Sequence, residues 1–373
     1  MVPFVTKRTG STNARRLTIA FVSLCGALFC AEIFVRITPQ SSVGFVLDAT
    51  ITQYEPSLFQ RHPVQINVLA PNASARLDTI EYSTSIRINS IGLRGPELQS
   101  SQETIAVLTV GDSFTLGLQV EEEQTWQASL SRSLTQAMRR PVELLNAGVD
   151  GYGTRQATAQ LRRLANQTGA RHAVLAFYLG NDFRDNAILE QRRSLMRSRP
   201  SVGTQDESAS RGSPSMARLS RLYATWLAAS QVRRNATDFR IAEYADEMMP
   251  FVSEQALAQL LPYTQEALAE FESTCSELNI SCIIALIPPA WMVNNARAES
   301  TLELFGLEQN QGGYGAPATA VAEATTLPVI DLTEQLFADK GNYLTFDPHW
   351  SAAGHAVAAN ALQPALLQLI STP

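Results

Sequence analysis

Cysteine is scarce in this chain of 373 residues. The four that occur are too few for a domain held together by disulfides. No CxxC pair and no cluster of Cys and His is present, so no metal site is predicted. Basic residues are not in excess, because 29 Lys and Arg stand against 35 Asp and Glu, and this argues against nucleic-acid binding. Charged residues make up only 17% of the chain and apolar residues 45%, a balance that allows a packed core.

The chain does contain one long apolar run close to its N-terminus. Residues 17–35 form this run, and residues 1–16 before it carry four Lys or Arg and no acidic residue. Nineteen residues extend roughly 28 Å as a helix, about the thickness of a bilayer core. The positive-inside rule then predicts a cytoplasmic tail at 1–16, a transmembrane anchor at 17–35 and an extracytoplasmic remainder. This predicts a single-pass protein of the cell membrane.

Two kinds of cleaved leader compete with the anchor. A signal peptide and a lipoprotein signal both need small residues before the cleavage point, and the end of the run matches them poorly. A buried soluble helix fits less well still, given the basic flank. Cys25 and Cys30 lie inside the run, whereas Cys275 and Cys282 lie seven residues apart in the later part of the chain. Export would allow that second pair to form a disulfide, and two buried thiols are equally compatible with the sequence.

Beyond the anchor, residues 37–100 are turn-rich with short alternating stretches, and they predict a small β-rich lead-in. Residues 101–373 then alternate between apolar strands and amphipathic helices. The predicted strands are Thr104–Val110, Val142–Asn146, His172–Leu179, Ser281–Ile287 and Leu327–Leu332, and the predicted helices are 123–138, 154–168, 254–278 and 351–370. This alternation predicts an α/β domain with a mostly parallel sheet covered by helices on both faces.

An insertion at about 183–252 interrupts the alternation. Its centre, Met196–Ser215, is rich in Ser, Arg, Gly and Pro, which predicts a mobile loop. Leu219–Val232 predicts an amphipathic helix. A lid over a site and a plain surface excursion are both compatible with these patterns.

Four segments at the predicted strand ends carry residues suited to acyl chemistry. Each alone has an ordinary structural explanation, because Gly-rich turns and Asn-Asp caps are common. Ligands of parallel sheets bind at the carboxyl ends of the strands, where all four would meet. The four segments are Gly111-Asp112-Ser113 after the first strand, Asn146 to Thr154 after the second, Gly180-Asn181-Asp182 after the third, and Asp347-Pro348-His349-Trp350 before the last helix.

Together these segments resemble the sequence blocks of the GDSL/SGNH hydrolase family. The resemblance covers roughly 104–190 and 254–370 and implies a three-layer α/β/α fold with a flavodoxin-like sheet. It implies Ser113 as nucleophile, His349 as general base and Asp347 as the residue that orients the imidazole. The N–H groups of Ser113 and Gly151 and the side chain of Asn181 would form the oxyanion hole. No cofactor or metal is implied.

The last block departs from the commonest form of the family, because Asp347 lies two residues before His349 rather than three. The Asp-x-His-Trp spacing is similar to that of the exported branch that includes alginate O-acetyltransferase-like proteins. Asp182 and Asp185 are weaker candidates for the acid. Gly148 and Gly153 are alternatives to Gly151.

Two further residues are interpreted as structural. His355, six residues after His349, is assigned to the protein core. Arg94 could pack beside the active-site edge, and a structural ion pair is the preferred interpretation.

The leading hypothesis is therefore a membrane-anchored extracytoplasmic serine esterase that acts on an O-acyl or carbohydrate ester. An O-acetyltransferase of cell-envelope polysaccharide, working with envelope polysaccharide machinery, would use the same residues, since both reactions pass through an acyl-enzyme. A non-catalytic carbohydrate-binding or assembly component is a third hypothesis. The joint presence of all the expected site residues argues against it, because a binding module does not need them.

Overall fold

The computed structural model describes residues 10–37, 56–63, 65–79, 81–98, 103–198, 248–293, 315–344 and 347–371. The chain divides into two compact units, one of residues 1–52 with 205–235 and one of residues 53–204 with 236–373. Each unit is described by itself below.

In the first unit the described part is a single helix, α1 (Gly10–Ile37). Residues Arg15–Ile33 of this helix are apolar and long enough to cross a membrane. Large apolar side chains on it are open to solvent, for example Leu17 and Phe21, which are 71% and 67% exposed. Apolar side chains exposed in this way suit a lipid environment better than water. Length and composition therefore allow a membrane span.

The second unit is built on a sheet of five parallel strands. These are β5 (Ile105–Val110), β6 (Val142–Asn146), β7 (His172–Tyr178), β8 (Ser281–Ile287) and β9 (Val329–Asp331). Their spatial order is β6-β5-β7-β8-β9. The chain therefore starts in an inner strand, moves to one edge and then crosses to the other side, the doubly wound order of flavodoxin-like folds. The predicted α/β class and parallel sheet are confirmed.

Helices cover both faces of this sheet because the side chains of each strand alternate between two cores. In β7, for example, Leu175 and Phe177 belong to one buried cluster, and Val174 and Ala176 belong to the other. One face carries α4 (Thr154–Thr168), α6 (Glu254–Leu278) and α7 (Ala316–Glu323), and the other carries α3 (Trp126–Met138), α8 (Thr333–Phe337) and α9 (Ala352–Ser371). Two further helices are α2 (Ser113–Leu116) and α5 (Asp182–Ser198), which follow β5 and β7.

The segment before β5 forms two antiparallel pairs, β1 (Phe59–His62) with β2 (Ile66–Leu69), and β3 (Ser74–Asp78) with β4 (Ser83–Arg87). Their apolar side chains form a third buried cluster, which includes Leu77 and Ile86. Leu116 of α2 and Val149 after β6 belong to the same cluster. The lead-in therefore packs directly against the turn that carries Ser113.

Several element ends differ from the sequence-based expectation, and local hydrogen bonds explain two of them. The predicted helix 123–138 begins at Trp126 because Thr125 caps it, accepting a bond from the N–H of Ala128 at 3.2 Å. The last helix begins at Ala352 because Ser351 accepts a bond from the N–H of Gly354 at 3.3 Å. Strand β9 is shorter than predicted at both ends, since it spans only Val329–Asp331, where it pairs with β8. The predicted loop at 196–215, beyond residue 198, and the helix at 219–232 lie outside the described residues.

Cys275 at the end of α6 and Cys282 in β8 are joined by a disulfide, with their Cα atoms 6.3 Å apart. Both side chains are buried. The sequence left pairing and free thiols open, and the structure has the pair. The bond ties α6 to the sheet at the edge opposite Ser113, since Cys282 lies near the start of its strand and Ser113 follows the end of another.

Candidate active site

Ser113 begins α2, a single helical turn that directly follows β5. Asp112 caps this turn, because its side chain accepts a hydrogen bond from the N–H of Phe114 at 2.9 Å. The backbone at Gly111 packs closely against β7. A Cβ on Gly111 would come within 2.8 Å of the carbonyl oxygen of Ala176, so only glycine fits there. The strand-turn-helix geometry holds the Ser113 hydroxyl at the carboxyl edge of the sheet, at the positive end of the helical turn.

The loop before α9 brings its Asp and His to this serine. The Ser113 Oγ atom lies 2.7 Å from Nε2 of His349, and Nδ1 of the same ring lies 2.5 Å from Oδ1 of Asp347. Asp347 Oδ1 also accepts the backbone N–H of His349 at 2.9 Å, which is the local turn that a two-residue spacing allows. Serine, imidazole and carboxylate thus form one continuous hydrogen-bonded chain.

Aromatic packing fixes the orientation of the imidazole. The ring of Phe114, the residue after the serine, lies 4.8 Å from the His349 ring and 5.2 Å from the buried Trp350 ring, measured between centroids. The loop itself is closed by backbone bonds: the N–H of Leu344 donates to the carbonyl of His349 at 3.0 Å. The Trp of the Asp-x-His-Trp block therefore has a packing role beneath the site.

The electrostatic environment sets the protonation states of this pair. Burial opposes ionisation of Asp347, but the charge of His349 and hydrogen bonds from His349 and Gln119 outweigh it, so the pKa of Asp347 is lowered. Burial likewise disfavours the imidazolium, yet the charge and hydrogen bond of Asp347, with the charges of Asp112 and Asp150, raise the pKa of His349 to about 9. The carboxylate is therefore ionised over the neutral range, and the imidazole binds a proton readily.

Two more carboxyl groups are buried around the serine turn. Asp112 is 1% exposed, and burial raises its pKa to about 7 despite the opposing charge of His349. Asp182, at the start of α5, is 2% exposed, and burial together with the charge of Asp112 raises its pKa well above the usual value. Asp182 and Asp185, the weaker candidates for the acid, are not the partners of His349, since Asp347 is.

Three glycines after β6 are candidates for an oxyanion donor, and the hydrogen bonds of their backbone N–H groups distinguish them. The N–H of Gly148 donates to the Asn146 side chain, and that of Gly153 donates to the Gln156 side chain, each at 3.1 Å. Gly151 is exposed, has a φ of +71° that favours glycine, and has no heavy atom within 4 Å of the position of a Cβ. Of the three, Gly151 has the most open surroundings.

Asn181 follows β7, the strand on the other side of β5 from β6. Ser113 therefore follows the end of β5, and Gly151 and Asn181 follow the ends of the two strands that pair with β5. The Oδ1 atom of Asn181 is buried and has no hydrogen-bond partner among the described residues. Among the described residues, no group of three or more His, Cys, Asp or Glu is arranged to hold a metal ion.

His355 is buried, as the sequence interpretation expected. Its Nδ1 accepts the N–H of Trp126 at 3.3 Å, and its ring packs edge-on against Trp350. Burial lowers its pKa to about 3, helped by the charges of Arg94 and His349, so it remains neutral. It supports α3 and does not contact Ser113.

The predicted ion pair of Arg94 is wrong. Its buried guanidinium donates to the carbonyl oxygens of Leu116, Gly117 and Val120, and no carboxylate pairs with it among the described residues. These carbonyls follow α2, where a helix leaves acceptors unsatisfied and favours a cation. Burial lowers the pKa of Arg94 to about 10, a value that keeps it charged at neutral pH.

Two residues that contact Asp347 were not predicted from the sequence. Gln119 donates from Nε2 to Oδ2 of Asp347 at 3.3 Å, and Glu81 accepts the backbone N–H of Asp347 at 2.8 Å. Gln119 is separated from Asp347 by 228 residues. No local pattern could have indicated a contact of this kind.

No protein-family model and no curated protein matches the sequence. Solved structures that resemble the chain include the lipase Lip_vut3 from a goat rumen metagenome, at 12% identity over 70% of this chain and 97% of that chain, with a TM-score of 0.41. A lipase/acylhydrolase from Enterococcus faecalis has 14% identity over 71% and 96% of the two chains and a TM-score of 0.37. A family 3 carbohydrate esterase from Clostridium thermocellum has 14% identity over 72% and 99%, with a TM-score of 0.34. The chain is thus similar to solved lipases and esterases.

Proposed function

We propose that this chain is a serine esterase of the SGNH type, anchored in a membrane, that cleaves an O-acyl or carbohydrate ester through an acyl-enzyme. The observation that carries the proposal is the hydrogen-bonded chain from Ser113 through His349 to Asp347. A serine hydroxyl is a weak nucleophile until a neighbouring base takes its proton. The 2.7 Å contact with His349 supplies that base.

In the first half of the reaction, Ser113 Oγ attacks the acyl carbon while Nε2 of His349 accepts the hydroxyl proton. The tetrahedral oxyanion then collapses, the bond to the alcohol oxygen breaks, and His349 returns the proton to the leaving alcohol. In the second half, a water attacks the acyl-serine and gives a proton to His349. The bond between the acyl carbon and Ser113 Oγ then breaks, His349 returns the proton to that oxygen, and the carboxylic acid leaves. Asp347 holds the ring with Nε2 towards Ser113 and stabilises the imidazolium in both halves.

The oxyanion would be bound by the N–H groups of Ser113 and Gly151 and the side chain of Asn181. The strand order supports this assignment, because β5 lies between the strands that precede Gly151 and Asn181. Donors that point at the developing charge before the reaction begins are worth about 3 kcal/mol each in the barrier.

A second candidate is transfer of the acyl group to a sugar hydroxyl of an envelope polysaccharide. The two-residue spacing between Asp347 and His349, followed by Trp350, favours it, since this is the spacing of the O-acetyltransferase-like branch. The chemistry of acylation is unchanged, and only the acceptor in the second half differs.

Hydrolysis and transfer can be distinguished with p-nitrophenyl acetate as the acyl donor. The full-length chain, solubilised in detergent, is incubated with this donor in the presence and absence of oligosaccharides that carry no acetyl groups. For an esterase, we expect each p-nitrophenol released to be matched by one free acetate, whether or not oligosaccharide is present. Acetylated oligosaccharide in place of acetate would establish transfer. Release of neither product above the buffer rate would reject both candidates.

Placement outside the cytoplasm is supported by two independent features. Helix α1 is long and apolar enough to span a bilayer, and Lys7, Arg8, Arg15 and Arg16 all lie before its apolar run at 17–35. The Cys275–Cys282 disulfide suits an oxidising compartment.

Fusion of alkaline phosphatase to the C-terminus tests this topology, because that reporter is active only outside the bacterial cytoplasm. We expect high phosphatase activity for the full-length fusion and little for a fusion that lacks residues 1–37. A C-terminal fluorescent protein that matures only in the cytoplasm should stay dark. A bright fluorescent fusion with inactive phosphatase would contradict the proposed orientation.

A further inference from the structure

We propose that Gln119 is a positioning residue for the reaction: its amide fixes the carboxylate of Asp347, while Glu81 fixes the backbone of the same residue. This inference rests on the proposed function, since it assigns a role relative to the acid of that site. Among the described residues Gln119 makes no hydrogen bond to Ser113 or His349, so it would act through Asp347.

The hydrogen bonds of Asp347 show why such a residue is needed. The side chain is 3% exposed, and a buried carboxylate requires donors in place of water. Its Oδ1 atom is fully used by His349, which approaches it through both the ring and the backbone N–H. The donor that the structure places on Oδ2 is Gln119, at 3.3 Å. Without it the carboxylate could rotate about its bond to Cβ and withdraw Oδ1 from the imidazole.

The surroundings of Gln119 argue against a purely structural role. The residue is 7% exposed, yet its own Oε1 atom is buried with no hydrogen-bond partner among the described residues. An unpaired buried carbonyl destabilises the fold, so an apolar side chain of the same size would pack at lower cost. The contribution that an apolar side chain could not make is the N–H directed at Asp347.

The position of Gln119 in the chain ties the acid to the nucleophile. Ser113 opens α2, Gly117 ends it with a φ of +68°, and Gln119 follows two residues later. Arg94 anchors the carbonyls on both sides of that bend. The same rigid turn therefore carries Ser113 at one end and Gln119 at the other, and it contacts the Asp347 loop twice, through His349 and through Gln119.

Glu81 holds the acid from the opposite direction. It lies in the turn between β3 and β4, and its Oε2 accepts the N–H of Asp347 at 2.8 Å. The lead-in is held against the serine turn by Thr84, whose hydroxyl donates to the carbonyl of Leu118 at 2.7 Å. Residues before the sheet domain thus complete the support of its acid.

Gln119→Met in the full-length chain removes the donor at nearly constant volume. We expect kcat for p-nitrophenyl acetate to fall about 10- to 100-fold with KM within about twofold, the size of a lost bond to a charged group. Gln119→Glu is a second variant that keeps a polar side chain but has no N–H donor. It should lose at least as much activity.

The control is Thr274→Val, which also removes a hydrogen bond made by a fully buried side chain, from the Thr274 hydroxyl to the carbonyl of Glu270, far from the site. Its kcat should stay within about twofold of wild type. Thermal unfolding of every variant reports any loss of folded protein.

A double-mutant cycle separates positioning from a general structural effect. In an Asp347→Ala background there is no carboxylate for Gln119 to hold. The double variant Asp347→Ala/Gln119→Met should therefore have a kcat within about twofold of that of Asp347→Ala alone. Full additivity of the two losses, or an unchanged kcat in Gln119→Met and Gln119→Glu, would overturn the inference while leaving the esterase proposal intact. An inactive wild type would reject the esterase proposal itself.

Discussion

Ser113→Ala is expected to abolish measurable ester hydrolysis, with kcat lowered roughly 10⁴- to 10⁶-fold. The reason is that the alanine side chain has no oxygen to form the acyl-enzyme, so the reaction must rely on water held in the oxyanion site. Binding of substrate should persist, because the N–H of residue 113 and the neighbouring strand ends remain. The measurement is the steady-state kinetics of p-nitrophenyl acetate hydrolysis by full-length protein in detergent.

Ser133→Ala is the matched control for this substitution. Ser133 is half-buried like Ser113, and its hydroxyl donates to the carbonyl of Leu130 within α3. Its loss should leave kcat within about twofold. Equal activity of wild type and Ser113→Ala would show that another group performs the reaction.

Asp347→Asn is expected to lower kcat by about 10⁴-fold, because an amide can donate to the imidazole and so favour the wrong tautomer, with Nε2 protonated towards Ser113. The negative charge that stabilises the imidazolium is lost as well. The matched control is Asp331→Asn. Asp331 accepts the N–H of the residue two positions later at 2.9 Å, as Asp347 does, but it is exposed and has no histidine partner.

The same substitution should change the pH dependence. His349 must be neutral to act as a base, and in the wild type its pKa is raised to about 9, so kcat/KM should fall as the pH drops through that value. Without the charge of Asp347, burial disfavours the imidazolium, so the acidic limb of the Asp347→Asn variant should move to lower pH. A limb that stays in place would contradict the assignment of Asp347 as the partner that sets this pKa.

Much of the fold could be predicted because the sheet is parallel and buried on both faces. Strands of this kind appear in the sequence as short apolar runs, and β6 and β8 have the predicted bounds. Helices α4 and α6 also match, since their apolar faces repeat with the helical period. The start of α3 was less predictable. The Thr125 cap, for example, separates one helical turn from the helix after it.

The candidate site was predictable to the extent that its residues lie in short, recognisable segments. Ser113, His349 and Asp347 each belong to such a segment, and the structure brings the three together. Gln119 and Glu81 could not be found in this way, because their meaning depends on contacts across 228 and 266 residues. The role of Arg94 was misjudged for a similar reason: its partners are backbone carbonyls, which any sequence supplies.

The central claim is that Ser113 is the nucleophile, and covalent labelling tests it most directly. Full-length protein is treated with a serine-directed fluorophosphonate, digested and analysed by mass spectrometry, beside Ser113→Ala and Ser133→Ala. We expect one adduct per chain, on the peptide that contains Ser113, in wild type and Ser133→Ala, with loss of activity in step with labelling. An unlabelled wild type, or an adduct of equal yield in Ser113→Ala, would contradict the account.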